Sequence, residues 1–192
     1  MKKAAVLLPG IGYSVDRPLL YYSGKMALSR GYEVIRVPYT GFPEKIAGDH
    51  DMMMRAFDVG RRGAEEILKD AHLEDYDELI FFSKSVGTAV GGSYAADHGL
   101  DGKVRHVLYT PVPETFGMFR GTGIAFHGTA DPWAPDGPII EAARACGVPL
   151  YLFEGANHSL ETGGLLTDIG NLKKIMETVS SWLFPGSIAE AG

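Results

Sequence analysis

A serine just beyond an apolar strand is the residue of this sequence best placed to act as a nucleophile. The strand runs from Leu79 to Phe82, and Ser85 stands shortly after it, at the start of a helix rich in small residues. Such a junction can hold a serine in a strained turn that lifts its hydroxyl clear of the sheet. The pattern departs from G-x-S-x-G only at Ser83, since Gly87 keeps the second glycine. Because the position needs only a small side chain, we predict a nucleophile elbow at Ser85.

A serine hydroxyl needs a base to take its proton, and the base needs an acid to hold its tautomer. Of the six histidines, only His158 follows an apolar strand and leaves room for a loop carboxylate between itself and Ser85. Asp131 stands in such a loop, directly after another apolar strand. Glu114 and Glu154 are competing acids, but Glu154 is too near His158 in sequence to reach around the ring. We therefore expect Asp131 to be the acid.

Two glycine patterns that could suggest a nucleotide cofactor do not fit. After Gly10 and Gly12 the third glycine of a dinucleotide fingerprint would fall at Val15, and no acidic residue ends the second strand. Ser83 stands where a phosphate loop needs its second glycine. We therefore predict no cofactor.

Composition is typical of one ordinary domain. The chain has 192 residues, of which 45% are hydrophobic and 22% are charged. A net charge of −6 argues against binding to a nucleic-acid backbone, and we find no apolar run long enough for a membrane span. The only cysteine, Cys146, excludes an internal disulfide and a cysteine-rich metal site, so no metal is expected. The N-terminal apolar run is broken early by Pro9, which predicts a first strand rather than a signal peptide, and a cytoplasmic protein.

Short apolar strands alternate with helical stretches, which predicts a parallel sheet covered on both faces. We expect about six strands, beginning near Lys3, Tyr32, Asp77, Val104, Gly123 and Val148. The predicted helices run approximately over residues 16–30, 50–72, 86–98, 137–146 and 168–184. The second helix shows a helical period at Met53, Phe57, Gly60, Ala64, Ile67 and Ala71, which predicts its buried face. The domain should cover residues 1–184, and residues 185–192 should form a loose tail.

The elbow at Ser85, the His-Gly-Thr-Ala-Asp-Pro stretch containing Asp131 and the Gly-Ala-Asn-His stretch ending at His158 occur in one order. In these features the chain resembles a small member of the α/β-hydrolase superfamily. The resemblance implies a single three-layer α/β domain with mostly parallel strands and helices on both faces. The loop before the fifth strand, residues 111–122, is too short for a cap domain. By resemblance Ser85 is the nucleophile, His158 the general base, and Asp131 the residue that orients His158.

An oxyanion hole should come from two backbone amides near the serine. One is the amide of Val86, directly after the nucleophile. The second should lie in the loop after the first strand, where Ile11 is the first choice and Gly12 the alternative. The candidate walls of an open, shallow substrate pocket are Tyr13, Tyr39, Phe116, Met118, Trp133 and Leu160.

These features favour a serine hydrolase that cleaves a small-molecule carboxylic ester or thioester through an acyl-enzyme. An acyltransferase or perhydrolase would use the same residues with an acceptor other than water. A non-catalytic binding protein of the same fold is the third hypothesis, supported only by the irregular Ser83 and Pro9. Neither nucleic acid nor membrane is an expected partner, and the sequence leaves a homo-oligomer open.

Overall fold

Strands and helices alternate along the chain in the computed structural model, which describes residues 1–43 and 50–186. The strands are β1 (Lys3–Leu8), β2 (Glu33–Arg36), β3 (Glu78–Lys84), β4 (Val104–Tyr109), β5 (Thr122–Gly128) and β6 (Leu150–Phe153). The α-helices are α1 (Pro18–Ser29), α2 (His50–Leu68), α3 (Val86–Asp97), α4 (Thr115–Met118), α5 (Asp136–Ala145) and α6 (Leu165–Leu183). A short 3₁₀ helix covers Leu73–Asp75.

The six strands form one parallel sheet in the order β2-β1-β3-β4-β5-β6. The chain moves outward from β1 to β2 and then returns to the other side of β1 at β3. Strand order therefore reverses between β1 and β3. Ligands of open parallel sheets bind at the carboxyl ends of strands beside such a reversal, which draws attention to the loops that follow β1 and β3.

Alternating strand residues bury the two faces of the sheet against different helices. On one face, Leu7 and Phe82 pack with residues of α1 and α6, including Leu20 and Val179. On the other face, strand residues pack in two clusters against α2 and α3 and against α5. The predicted three-layer α/β domain with a parallel sheet is confirmed, since both faces of the sheet are covered as a parallel sheet requires.

The buried face of α2 follows the predicted stripe at Phe57, Gly60 and Ala64 and departs from it near the end of the helix. Ala56, Phe57 and Ala64 are buried as part of this face, but Ile67 is 37% exposed. The helix ends at Leu68, itself buried, so the predicted end at His72 is wrong. Ala71 therefore lies outside α2, although it packs against the same core.

The last helix begins three residues earlier than predicted. It starts at Leu165, directly after Gly164, whereas the predicted helix begins near Asp168. Leu165 and Leu166 are 74% and 82% exposed, so no buried period marks this first turn. Residues 185 and 186 form a turn after α6, and the remainder of the predicted tail, residues 187–192, lies outside the described residues.

The segment between β4 and β5 contains only the single turn of α4. Within residues 1–43 and 50–186 no cap domain covers the sheet, as predicted. In the same part of the chain no helix combines the length and the apolar character that crossing a membrane requires.

Candidate active site

Ser85 occupies a strained turn between β3 and α3. Its backbone has φ 56° and ψ −127°, a combination that costs free energy for a residue with a side chain. The turn is held from two directions. The Ser85 amide donates a 3.0 Å hydrogen bond to the carbonyl of Tyr109 on β4, and the Thr88 hydroxyl donates to the Ser85 carbonyl at 2.5 Å. This is the geometry that the sequence predicts for a nucleophile elbow.

Small residues let α3 approach the sheet closely behind this turn. Gly87 lies against the carbonyls of Leu8 and Pro9, so any β-carbon there would collide with backbone. A β-carbon on Gly91 would lie only 3.0 Å from the hydroxyl of Ser83. Ser83 is completely buried at this contact, which explains why a small residue suffices where the usual pattern has glycine.

His158 connects Ser85 and Asp131 by hydrogen bonds at its two ring nitrogens. Its Nε2 lies 2.8 Å from Ser85 Oγ, and its Nδ1 lies 2.7 Å from Asp131 Oδ2. The other oxygen of Asp131 accepts a 2.9 Å hydrogen bond from the Trp133 amide. Because the Nδ1 partner is Asp131, neither competing acid, Glu114 or Glu154, takes this position.

The environment keeps both titratable groups in the forms that general-base chemistry needs. Burial raises the pKa of Asp131, but the hydrogen bonds from His158 and Trp133 outweigh it and leave the pKa below its usual value. Burial also lowers the pKa of His158, against the raising effect of the Asp131 hydrogen bond. At neutral pH a carboxylate therefore faces a neutral imidazole that can accept the Ser85 proton.

The loops that carry Asp131 and His158 are tied to each other. Gly128 lies so close to the Ala156 carbonyl that no β-carbon fits between them. The Thr129 hydroxyl accepts a 2.8 Å hydrogen bond from the Gly155 amide. Thr110, at the end of β4, donates at 3.1 Å to the carbonyl of His158 itself. These contacts hold the loops that carry Asp131 and His158 together.

The loop after β1 carries the two candidates for the second oxyanion donor. The amides of Gly10 and Tyr13 donate to each other's carbonyls at 3.2 Å. In the part of the chain that the structure describes, the amides between them, of Ile11 and Gly12, have no hydrogen-bond acceptor. A β-carbon on Gly10 would lie 2.9 Å from Ser85 Cβ, so this loop touches the elbow.

The amide of Val86 is the other candidate donor. It is the first residue of α3, and the first amides of a helix have no partner within the helix. Val86 thus adjoins Ser85 in the chain, and the loop that carries Ile11 and Gly12 contacts the elbow at Gly10. Both Ile11 and Gly12 stay candidates for the second donor.

The six predicted pocket residues divide into three groups. Trp133 is 42% exposed and its ring centre lies 6.0 Å from that of His158, so it borders the site. Tyr13 and Leu160 are buried but line a groove of about 400 Å³ beside the His158 loop. Tyr13 and Tyr39 also line a groove of about 540 Å³ that includes Gly10.

The other two predicted pocket residues line neither of these grooves. Phe116 is 5% exposed and packs in the core cluster that α5 covers. Met118 is partly buried and lines a small cavity with Val86. Phe116 is therefore a core residue, and Met118 borders a different cavity from the one that Tyr13 lines.

Sequence reasoning missed two basic residues beside the site. Lys84, directly before Ser85, is 1% exposed. His127 lies on β5, where its Nε2 is 2.9 Å from Asp136 Oδ1 and its Nδ1 is 4.0 Å from Asp131 Oδ2. Lys84 could have been noticed in the sequence, because it is a cation at the end of a strand that is otherwise buried on both faces. Among the described residues, no three His, Cys, Asp or Glu side chains form a metal-binding group.

No protein-family model matches the sequence, and no curated protein is significantly similar to it in sequence. Solved structures do match. A serine hydrolase homologue from Coxiella burnetii has a TM-score of 0.67 at 15% identity, over 95% of this chain and 85% of that one. A serine hydrolase without a lid from Xanthomonas campestris has a TM-score of 0.66 at 15% identity, over 96% and 84% of the two chains.

A third match is esterase 2 from Thermogutta terrifontis, with a TM-score of 0.61 at 19% identity, over 98% of this chain and 85% of that one. At such identities the likeness concerns the fold. The chain therefore has the α/β-hydrolase fold in a small form without a cap domain. Fold alone does not define activity, which depends on the residues of the site.

Proposed function

We propose that this protein is a serine hydrolase that cleaves a carboxylic ester or thioester through an acyl-enzyme. The observation that carries the proposal is the pair of hydrogen bonds at His158, one between Nε2 and Ser85 Oγ at 2.8 Å and one between Nδ1 and Asp131 Oδ2 at 2.7 Å. The names of the similar structures, which include serine hydrolases and an esterase, support the same reaction class.

The reaction would proceed in two halves. Ser85 Oγ attacks the acyl carbonyl while His158 Nε2 takes the serine proton, and the carbonyl oxygen becomes an oxyanion. The amide of Val86 and one amide of the Ile11–Gly12 segment would donate hydrogen bonds to that oxyanion. The proton then passes from His158 to the departing alcohol or thiol, which leaves the acyl group on Ser85. Water, deprotonated by His158, attacks the acyl-enzyme, and Ser85 leaves with its proton restored.

The test compares Ser85→Ala with Ser83→Ala on short-chain p-nitrophenyl esters. The two serines are two residues apart, and Ser83 Oγ is buried without a partner among the described residues. Ser83→Ala therefore makes a similar chemical change behind the elbow without removing the proposed nucleophile. We expect Ser85→Ala to lose on the order of a million-fold in kcat and Ser83→Ala to keep its activity within a few-fold.

Labelling with a fluorophosphonate probe gives a second readout that does not depend on the choice of ester. Peptide mass analysis should place the label on Ser85 in the wild type and in Ser83→Ala, and labelling should be lost in His158→Ala. A folded wild-type protein that neither takes the label nor turns over esters would overturn the proposal. Products that carry the acyl group on an added alcohol or on peroxide would instead assign the site to acyl transfer.

A further inference from the structure

A lysine lies directly beneath the proposed active site. Lys84 is the last residue of β3 and is 1% exposed. Successive strand residues face opposite sides of a sheet, so Lys84 faces away from Ser83 and α3. Its Nζ lies over the ring of Tyr13, 5.1 Å from the ring centre. Tyr13 belongs to the loop after β1, so the lysine fills the space under the junction of that loop and the elbow.

No carboxylate of the described residues forms an ion pair with Lys84. Burial lowers its pKa to about 7, and the negative charge of Asp131 opposes that effect. The charge of Lys84 also acts on His158, where it lowers the pKa of the imidazole. Lys84 is thus close enough to the acid and the base for their charges to interact, yet it pairs with neither.

The other titratable groups near Lys84 do not neutralise its positive charge. Burial raises the pKa of Tyr13 to about 12, so its hydroxyl is neutral. Glu161 and Arg17 also act on Tyr13, with opposite effects on its pKa. His127 approaches the same carboxylate as His158, at 4.0 Å from Asp131 Oδ2, and a charge on it would also lower the pKa of His158. Asp131 is the one negative group here that faces both Lys84 and His158.

We propose that Lys84 is a positioning residue that acts through His158: its buried ammonium lies next to Ser85, over the Tyr13 ring, and places a positive charge beneath the imidazole. The inference rests on the proposed function, because it concerns the general base of that reaction. A nearby cation disfavours the imidazolium form, so while Lys84 holds its proton, His158 stays neutral to lower pH. A methionine could fill the same space without an unpaired buried charge, which is why we assign the lysine an electrostatic role.

The decisive measurement is the titration of His158 by NMR in wild type and in Lys84→Met. The His158 signal among the six histidines is assigned by its loss in His158→Gln. We expect its midpoint to move to higher pH in Lys84→Met, by roughly a few tenths of a pH unit or more for the loss of one nearby charge. Lys173→Met removes the same charge from an exposed position on α6 and should leave the midpoint unchanged.

The kinetic counterpart is the acid limb of kcat/KM against pH. In Lys84→Met this limb should move in the same direction and by the same amount as the NMR midpoint. At pH values above the acid limb of either protein, kcat/KM should change little. A purely structural role for Lys84 would lower the rate at every pH without moving the limb. Lys84→Gln, which is neutral and of similar length, repeats both measurements if the methionine variant is unfolded.

The two proposals can fail separately. If the NMR midpoint of His158 does not move in folded Lys84→Met or Lys84→Gln, the role of Lys84 is wrong whether or not the protein is a hydrolase. If the midpoint moves but the wild type neither cleaves esters nor labels at Ser85, the coupling stands and the proposed function fails.

Discussion

At the scale of single residues, Asp131 has the most constrained position in the site. Its side chain is completely buried, and its two oxygens accept hydrogen bonds from His158 Nδ1 and from the Trp133 amide. This arrangement keeps the proton of His158 on Nδ1 and leaves Nε2 free to receive the proton of Ser85. The carboxylate thus selects a tautomer, and a neutral side chain of the same shape should not.

We therefore predict that Asp131→Asn lowers kcat on the order of ten-thousand-fold while the protein remains folded. The amide group of asparagine would donate to Nδ1, so the imidazole proton would move to Nε2 and face Ser85. Steady-state kinetics on p-nitrophenyl esters, with circular dichroism as the check on folding, measures the effect.

Asp136→Asn is the matched control, since this carboxylate contacts His127 rather than His158. It should retain most of the activity. Retention of more than about a tenth of the wild-type kcat in Asp131→Asn would contradict the assigned role of the carboxylate.

The sequence allowed Ser85, Asp131 and His158 to be selected because each follows an apolar strand in a parallel sheet. Their carboxyl ends meet at one edge, so strand endings alone bring such residues together. Lys84 and its contact with Tyr13 could not be predicted in that way. The contact depends on the path of the loop after β1, which no periodicity in the sequence describes.

At the scale of elements, the approach of α3 to β1 decides where the elbow sits. Gly87 lies against the carbonyls of Leu8 and Pro9, and these residues lead directly into the loop that carries the candidate oxyanion donors. The packing of one glycine thus links the position of the nucleophile to the position of that loop.

We predict that Gly87→Ala destabilises the protein by about 1–3 kcal/mol, as overpacking of a closed contact does. It should also lower kcat, because either α3 or the end of β1 must move. Urea unfolding and ester kinetics on the same variant measure the two effects. Gly102→Ala, at a glycine with open space around it, should leave the free energy of unfolding and kcat unchanged within experimental error. Equal stabilities of the two variants would show that the structure accommodates a β-carbon at Gly87 without loss of stability.

Element types were predictable from the sequence, and element faces and ends were less so. The buried stripe of α2 runs through Ala56, Phe57 and Ala64 to Leu68. The predicted stripe continues through Ile67 to Ala71, because the helical period alone does not show which apolar residues near the helix end face the neighbouring elements. The exposed first turn of α6 carries no burial pattern at all, so its start could not be found from periodicity.

At the scale of the whole molecule, one buried histidine should govern part of the acid sensitivity of folding. His106 on β4 is completely buried, and its ring packs edge-on against Phe81 and Phe119. Neither ring nitrogen has a hydrogen-bond partner among the described residues. Burial lowers its pKa from the usual 6.5 to about 3.

The depressed pKa of His106 makes the folded protein less stable as the pH falls. The unfolded chain takes up a proton at His106 below about pH 6.5, whereas the folded protein takes it up only near pH 3. The free energy of unfolding therefore falls as the pH drops through this window. We predict that His106→Leu removes this part of the pH dependence. Between pH 7 and pH 4, the free energy of unfolding of the variant should fall by about 3 kcal/mol less than that of the wild type.

Urea unfolding of both proteins across that pH range measures the difference. His72→Asn is a suitable control, because the ion pair of His72 with Glu74 is exposed and such surface pairs contribute little, and because asparagine tolerates the left-handed backbone of His72, φ 48°. It should keep the wild-type pH slope. Parallel curves for wild type and His106→Leu would show that His106 does not carry the effect.

The alternation of strands and helices was sufficient to predict a parallel sheet covered on both faces. The alternation does not predict the order of the strands in that sheet. The reversal between β1 and β3 depends on which way each crossover turns, and it is this reversal that brings Gly10 against Ser85.

The placement of Trp133 gives the molecule an optical probe at its own site. Its indole is 42% exposed, lies 6.0 Å from the imidazole of His158, and is attached to Asp131 through its backbone amide. Indole emission responds to a neighbouring charge and to displaced water, and the other tryptophan, Trp182, lies on α6. With Trp182 replaced by phenylalanine, the fluorescence of Trp133 would report protonation of His158 and occupancy of the site in real time, without an added dye or a chromogenic substrate.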